Sequence, residues 1–221
     1  MSFKNSGKKG TEMEHGNNNV FMKFYYTFKE FKKTAYHHYG NNISSIFKMI
    51  YYSAINVNSF TIYERVLDES IKSIDLESEF IIEKPTMERL EQIRSGKELP
   101  REFYYDKIHG IKNCYIVMCG EEPAYIHWVY VKGDYNRFLI LPESVGELNY
   151  NTTLPPFRGR KLMGRMMLYI MNDLKKQGFR KVVGVVNIQN PPAIKSMKAA
   201  GFREVRNIKT VGYFNRKYAI I

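Results

Sequence analysis

The stretch LPPFRGRKLMGRMMLYIMNDLKKQGFRKVVGVVNIQNPPAIKSMKAAGF, Leu154 to Phe202, decides how this chain is read. It opens on a proline-rich and cationic turn, Pro155 to Gly164, and runs into apolar residues at Leu162, Met163, Met166, Met167, Ile170, Met171 and Leu174. Spacings of three and four predict a helix from Lys161 to Gln177 with Gly178 as its stop. Lys181 to Val186 (KVVGVV) reads as a buried strand. Asn190 is placed as an N-cap ahead of Pro191 and Pro192, and Gly201 as a stop, so a second, short helix is expected to run to Ala200. The unit is therefore strand, basic turn, long helix, strand and Asn-capped helix. A cationic turn that feeds a helix presents unpaired backbone N–H groups and the positive end of the helix dipole, which suits a pyrophosphate.

Working outward, Val145 to Thr153 reads as the strand that enters this unit, stopped by Leu154-Pro155-Pro156. Before it, CYIVMCGEEPAYIHWVYV predicts a hairpin of Cys114–Cys119 and Ala124–Val131 joined by Gly120 to Pro123, with a further strand near Phe138 to Leu141. Ser59 to Leu67 and Glu79 to Glu83 read as strands, and Thr86 caps a helix that Gly96 ends. After Gly201, strands are expected over Glu204–Val211 and Tyr213–Ile220. Residues 1–19 are polar and read as a disordered tail. From Val20 to about Ile55 aromatic and aliphatic residues recur at three and four, in two amphipathic helices broken at Gly40-Asn41-Asn42. The expected organisation is a tail (1–19), a helical extension (20–58) and one mixed α/β domain (59–221).

Composition narrows the function classes. The net charge of +12 is unevenly divided: eight basic residues and three acids in 1–58 leave +5, eleven and seventeen in 59–157 leave −6, and fifteen and two in 158–221 leave +13. The positive C-terminal end suits a polyanion, whether nucleic acid, acidic lipid or a phosphorylated cofactor. No stretch reaches the roughly 20 apolar residues of a membrane span, and the opening lacks the apolar core of a secretory signal. With Cys114 and Cys119 five apart in one strand, on opposite faces, free thiols and a cytoplasmic protein are expected. His37-His38 has no carboxylate or cysteine partner at ligand spacing, so no metal site is expected.

The cationic turn and the Asn-capped helix together resemble the GNAT superfamily of acyl-CoA-dependent N-acyltransferases, whose cofactor turn runs Q/RxxGxG/A. Arg158 takes the first place, Gly159 and Arg160 the next two, and Lys161, Leu162 and Met163 the last three, with Lys161 and Met163 standing where the family has glycine or alanine. NPPAIKSMKAAGF matches the family's NxxAIxxYxxxGF at Asn190, Ala193, Ile194, Gly201 and Phe202, and carries Met197 where the family often has a tyrosine that protonates the departing thiolate. TxxPxxRGR from Thr152 is similar to members encoded among polysaccharide-biosynthesis genes. The resemblance covers roughly Cys114 to Val211. It implies a mixed, mostly antiparallel sheet flanked by helices. It also implies acetyl-CoA or another acyl-CoA as co-substrate, with no metal, and transfer to a primary amine of a small metabolite or amino sugar.

Site residues follow by position. Thr152, Thr153 and Leu154 correspond to the strand edge that holds the pantetheine arm; Arg158, Gly159, Arg160, Lys161, Leu162, Met163 and Gly164 to the pyrophosphate cradle; and Asn190 to the second helix start. Glu147, eleven residues before Arg158, is the candidate general base, and Tyr150 and Tyr213 are candidate acids in place of the missing tyrosine. His127 and Trp128 read either as lining for an acceptor pocket or as packed strand residues. Three alternatives stay open: a GNAT-like scaffold that binds without catalysis, an enzyme whose donor is an acyl carrier protein docked on the basic end, and a nucleic-acid binder, although no recognition motif for nucleic acid is present. The N-terminal helices could close over an acceptor or join another subunit, as in a homodimer.

Overall fold

In the computed structural model the described residues are Ser44, Phe47, Tyr51, 57–68, 70–71, 77–211 and 218–219. The tail, nearly all of the helical extension and Tyr213 lie outside them.

Among the described residues the elements from Val57 onward are, in chain order, β1 (Val57–Val66), β2 (Phe80–Glu83), α1 (Met87–Arg94), α2 (Tyr105–His109), β3 (Cys114–Cys119), β4 (Glu122–Tyr130), β5 (Leu139–Ile140), β6 (Val145–Thr153), α3 (Leu162–Lys176), β7 (Lys181–Asn187), α4 (Pro191–Ala199), β8 (Arg203–Val211) and β9 (Tyr218–Ala219). Short 3-10 turns cover Arg101–Tyr104 and Pro155–Phe157. Seven strands form one sheet in the order β2-β3-β4-β6-β7-β1-β8, while β5 and β9 pair separately and in parallel. Within the large sheet only β6 and β7 are parallel. A mixed, mostly antiparallel sheet flanked by helices is the architecture expected from the sequence.

Both faces of the sheet are covered, as side-chain alternation along the strands requires. One face packs Ile62, Ile116, Ile126, Trp128 and Val183 against Leu90 and Ile93 of α1 and Phe103 to Ile108 around α2. The other packs Tyr63, Tyr125, Val129, Leu148 and Val182 against Met166, Met167, Ile170, Met171 and Leu174 of α3 and Met197 of α4. Met166, Met167 and Met171 of α3 are core. Cys114 joins the first cluster, Cys119 packs on the second, and both are free thiols. Thr86 and Asn190 cap α1 and α4 through their side chains, as their positions predict.

Several expectations need correction. The hairpin turn is only Gly120-Glu121, because Glu122 and Pro123 already pair with Cys119 and Met118. The strand near Phe138–Leu141 shrinks to two residues. The first strand starts at Val57, two residues inside the expected extension, and it lies between β7 and β8. Its interior place explains why Thr61 to Glu64 are buried in succession. Buried Glu64 is bound by Lys181 of β7 at 3.1 Å and by Arg203 of β8, so one carboxylate ties β1 to its neighbours on both sides.

Candidate active site

The site begins where two strands part. β6 pairs with β7 only at Val145, Gly146 and Glu147; beyond Glu147↔Val183 the facing edges of Leu148–Thr153 and Gly184–Asn187 are not paired with each other. A bulge directs this divergence. On β4 Ile126 pairs with Thr152 and Trp128 with Asn149, so three steps of β6 answer two of β4. Tyr150 in the bulge takes a left-handed backbone, φ 49°, a conformation that costs a non-glycine residue of order 1–3 kcal/mol and is found at sites where the surrounding structure enforces it.

A cleft of about 200 Å³ fills the opening. β6 contributes Leu148, Asn149, Tyr150 and Asn151; β7 contributes Val185 to Asn187; α3 contributes Met163 and Met167, and α4 contributes Ala193 and Met197, with Asn190 at its start. Glu102 and His127 complete it. Met197 lies against Gly184, where an added Cβ would stand 2.6 Å from its terminal methyl.

At one end stands the cationic turn. Lys161 is the N-cap of α3 in a left-handed conformation, φ 57°, and makes no side-chain cap, so the first amides of this helix meet no capping side chain. Gly159 and Gly164 have open space where a Cβ would point. Arg158 is exposed and directs Nε toward the Thr153 carbonyl at 3.4 Å. The turn therefore fits a pyrophosphate through Arg158, Gly159, Lys161 and the amides of Leu162, Met163 and Gly164. Arg160 differs, because its guanidinium is held by Glu77 and Glu79 and lies over Phe80, and Arg165 reaches Glu77 at 3.4 Å. Lys161 supplies by strain the left-handed turn that glycine supplies freely. Met163 is half-buried on the cleft wall, and the Leu162 side chain is in the core.

Glu147 is fully buried on the face opposite α3. Asn136 donates to one carboxylate oxygen and Asn149 to the other at 2.8 Å. Burial pushes its pKa up to about 7, against the pull of those two amides, which favour the charged form. Glu147 does not itself line the cleft; Asn149 and Tyr150, which do, stand between. The half-buried Tyr150 ring packs 4.3 Å from Tyr105, and 5.5 Å from both His109 and Tyr130, and burial together with the nearby Glu147 raises its phenol to about 12. The phenol is thus protonated at neutral pH. Arg101 and Arg137 lie in the same electrostatic neighbourhood.

The structure thus brings Tyr150, Met163 and Asn190 to one cleft and leaves Glu147 outside its lining, bound to the lining residue Asn149. Thr152 and Thr153 lie farther along β6, paired with Ile126 and Tyr125, and the Leu154 amide is spent on the Ala124 carbonyl. Tyr213 lies outside the described residues. Sequence reasoning missed Glu102, Asn149, Asn151 and Asn187, lone polar residues without a motif. Trp128 faces the α1 side and donates Nε1 to the Glu102 carbonyl, as core, whereas His127 lines the cleft. Among the described residues there is no metal-binding cluster and no helix long and apolar enough to cross a membrane.

No protein-family model and no curated protein matches the sequence. Solved structures do match. A GNAT-family acetyltransferase of Novosphingobium aromaticivorans superposes with a TM-score of 0.50 at 15% identity, over 70% of this chain and 63% of that one. A Drosophila protein gives 0.52 at 12%, over 75% and 55%. A GCN5-related glucosamine N-acetyltransferase region of a fungal multi-domain GH3 β-N-acetylglucosaminidase gives 0.55 at 12%, over 76% and 23%. The chain thus spans less than two thirds of the length of these proteins, and at such identities the likeness is one of fold. Together with the sheet order, the parting of β6 from β7 and the open start of α3, it establishes that this chain has the fold of the GNAT acetyltransferases.

Proposed function

We propose that the protein is an N-acyltransferase that moves an acetyl or other acyl group from acyl-CoA to a primary amine of a small metabolite or amino sugar, by direct attack in a ternary complex. The observation that carries this reading is the opening between β6 and β7, which lies beside the uncapped, cationic start of α3 and is lined by Asn149, the donor to the buried carboxylate of Glu147. When bound, acyl-CoA supplies an activated acyl carbon and a thiolate leaving group. Arg158, Lys161 and the first amides of α3 hold the pyrophosphate, and the separated strand edges hold the arm between them. Glu147, with a pKa near neutrality, accepts the amine proton relayed past Asn149 and Tyr150. Tyr150, protonated throughout the neutral range, donates toward the charge that develops as the C–N bond forms and the C–S bond breaks. Tyr213 remains a candidate for the same task.

The test is ligand-dependent stability. Acetyl-CoA in excess raises the melting temperature if it binds the folded state, and an Arg158→Ala/Gly159→Ala double variant loses that rise. An amine-acceptor screen with thiol detection then begins with glucosamine, since the fungal region of like fold is a glucosamine N-acetyltransferase. Stabilisation by CoA without thiol release for any amine would favour a binding scaffold. Release from an acyl carrier protein but not from CoA would mark the carrier as donor.

A further inference from the structure

The cleft wall carries a polar group that the mechanism above does not use. His127 stands on β4 between Ile126 and Trp128, opposite the bulge that contains Tyr150 and Asn151. It is only 1% exposed, yet it lines the cleft. Nδ1 lies 2.7 Å from the Tyr125 hydroxyl, whereas Nε2 is buried with no hydrogen-bond partner among the described residues. Native interiors rarely leave such an atom unsatisfied without a reason.

Proton accounting sets the tautomer. The Tyr125 hydroxyl is fully buried, and His127 is its hydrogen-bond partner among the described residues. If Nδ1 carried the proton, the phenolic hydrogen would be left without an acceptor; if Tyr125 donates to Nδ1, only oxygen lone pairs go unused, which costs less. Nε2 then carries the hydrogen. Burial pushes the imidazole down to about 3, so the ring is neutral at any working pH and donates without charge.

We propose that His127, held in the Nε2–H form by Tyr125, donates a hydrogen bond to the thioester end of acyl-CoA, at its carbonyl oxygen or its sulfur. The inference rests on the acyltransferase reading. A ligand whose phosphates lie at Arg158 to Gly164 enters where β6 ends, so its far end lies at the bulge, level with His127 and Glu147. Met163, Met167 and Met197 share the cleft wall, and their unbranched side chains repack readily to admit it. No proton moves in this step. The bond strengthens as negative charge grows on oxygen or sulfur, which is the condition for lowering a barrier.

The experiment follows the His127 ring nitrogens by NMR in the 15N-labelled full chain, assigned by comparison with His127→Gln, with acetyl-CoA, CoA and desulfo-CoA as probes and the melting temperature recorded for each. Acetyl-CoA is expected to move the Nε2 signal and desulfo-CoA to leave it. CoA moves it if sulfur is the partner and leaves it if the carbonyl is. Tyr125→Phe, which removes the hydroxyl and leaves His127 in place, is expected to change the tautomer seen without ligand. In the acyl-transfer assay, His127→Phe keeps the ring shape without a donor and lowers kcat by about 10²–10³-fold with little change in KM, and His127→Gln recovers part of the loss. Stabilisation by acetyl-CoA with an unmoved Nε2 signal, or an equal shift with desulfo-CoA, overturns the proposal and leaves the acyltransferase reading standing. No stabilisation by any of the three overturns both.

Discussion

Replacing Glu147 by Gln tests whether the carboxylate at the parting of β6 and β7 titrates near neutrality. In the folded chain burial lifts its pKa from an ordinary 4.5 to about 7. The raised value means that the folded state keeps its proton where the unfolded state has lost it. This contribution is thus fully present below about pH 4.5, is lost as the pH rises, and is gone above about 7. At 1.36 kcal/mol per pH step, the loss from end to end is about 3 kcal/mol. Glutamine cannot titrate, so the wild type should fall relative to Glu147→Gln by about 2–3 kcal/mol between pH 5 and pH 8. The variant carries an offset of its own. Neither Asn136 nor Asn149 can turn its amide, because the Asn136 oxygen accepts from the Phe138 and Leu139 amides at 3.0 and 2.8 Å and the Asn149 oxygen from the Tyr150 amide at 2.8 Å, so glutamine in either orientation places one N–H₂ against another. That offset, about 1–2 kcal/mol, does not change with pH. Urea unfolding of both proteins at pH 5, 6, 7 and 8 separates the two effects. Parallel profiles, differing by a constant across the range, would refute the claim that Glu147 is held near neutrality. In the acyl-transfer assay the same group should give a kcat/KM that rises through about pH 7 and falls by about 10²–10⁴-fold in Glu147→Gln.

Other positions make independent demands. Lys161→Gly relieves a left-handed residue in open surroundings and should raise stability by about 1 kcal/mol, read from chemical denaturation. Glu64→Ala should cost about 1–3 kcal/mol by removing the carboxylate shared by Lys181 and Arg203. Burial works against ionisation there, but Arg203 and Lys181 outweigh it and hold the pKa below its ordinary value. The stabilisation is therefore present above about pH 4.5 and is lost as the pH falls through the folded value, and an acid titration of wild type and variant should converge. Gly184→Ala brings a methyl to 2.6 Å from the end of Met197 and 3.3 Å from the Leu148 carbonyl, and should cost about 1–3 kcal/mol. In a Met197→Ala background the same substitution should cost measurably less, a coupling that a double-mutant cycle reads directly.

Local signals were legible because they depend on near neighbours in sequence. Thr86 and Asn190 cap helices that a following glycine, Gly96 or Gly201, marks off in the sequence, and the cationic turn precedes α3 where its glycines and prolines put it. The α2 region was not legible. Its 3-10 turn and five-residue helix are too short for a periodicity, and Phe103, Tyr104 and Tyr105 are consecutive core residues that match neither template. His127 was ambiguous for a related reason: alternation puts it on one face of β4, but only the fold shows that this face meets the cleft and that Tyr125 takes one ring nitrogen.

By itself the sequence determined the helices and strands between Cys114 and Val211, the alternation of their faces and the charge at the start of α3, because capping, spacing and turn chemistry act within a few residues. Tertiary structure alone decided the rest. β1 lies between β7 and β8 because strands more than a hundred residues away pair with it and Glu64 binds a cation on each side. Arg160 is withdrawn into ion pairs with Glu77 and Glu79, some eighty residues earlier, while Arg158 remains exposed at the turn. The left-handed Tyr150 and the three-against-two register of β6 on β4 open the cleft, and neither can be read from residue types, because register is a property of two strands and not of one.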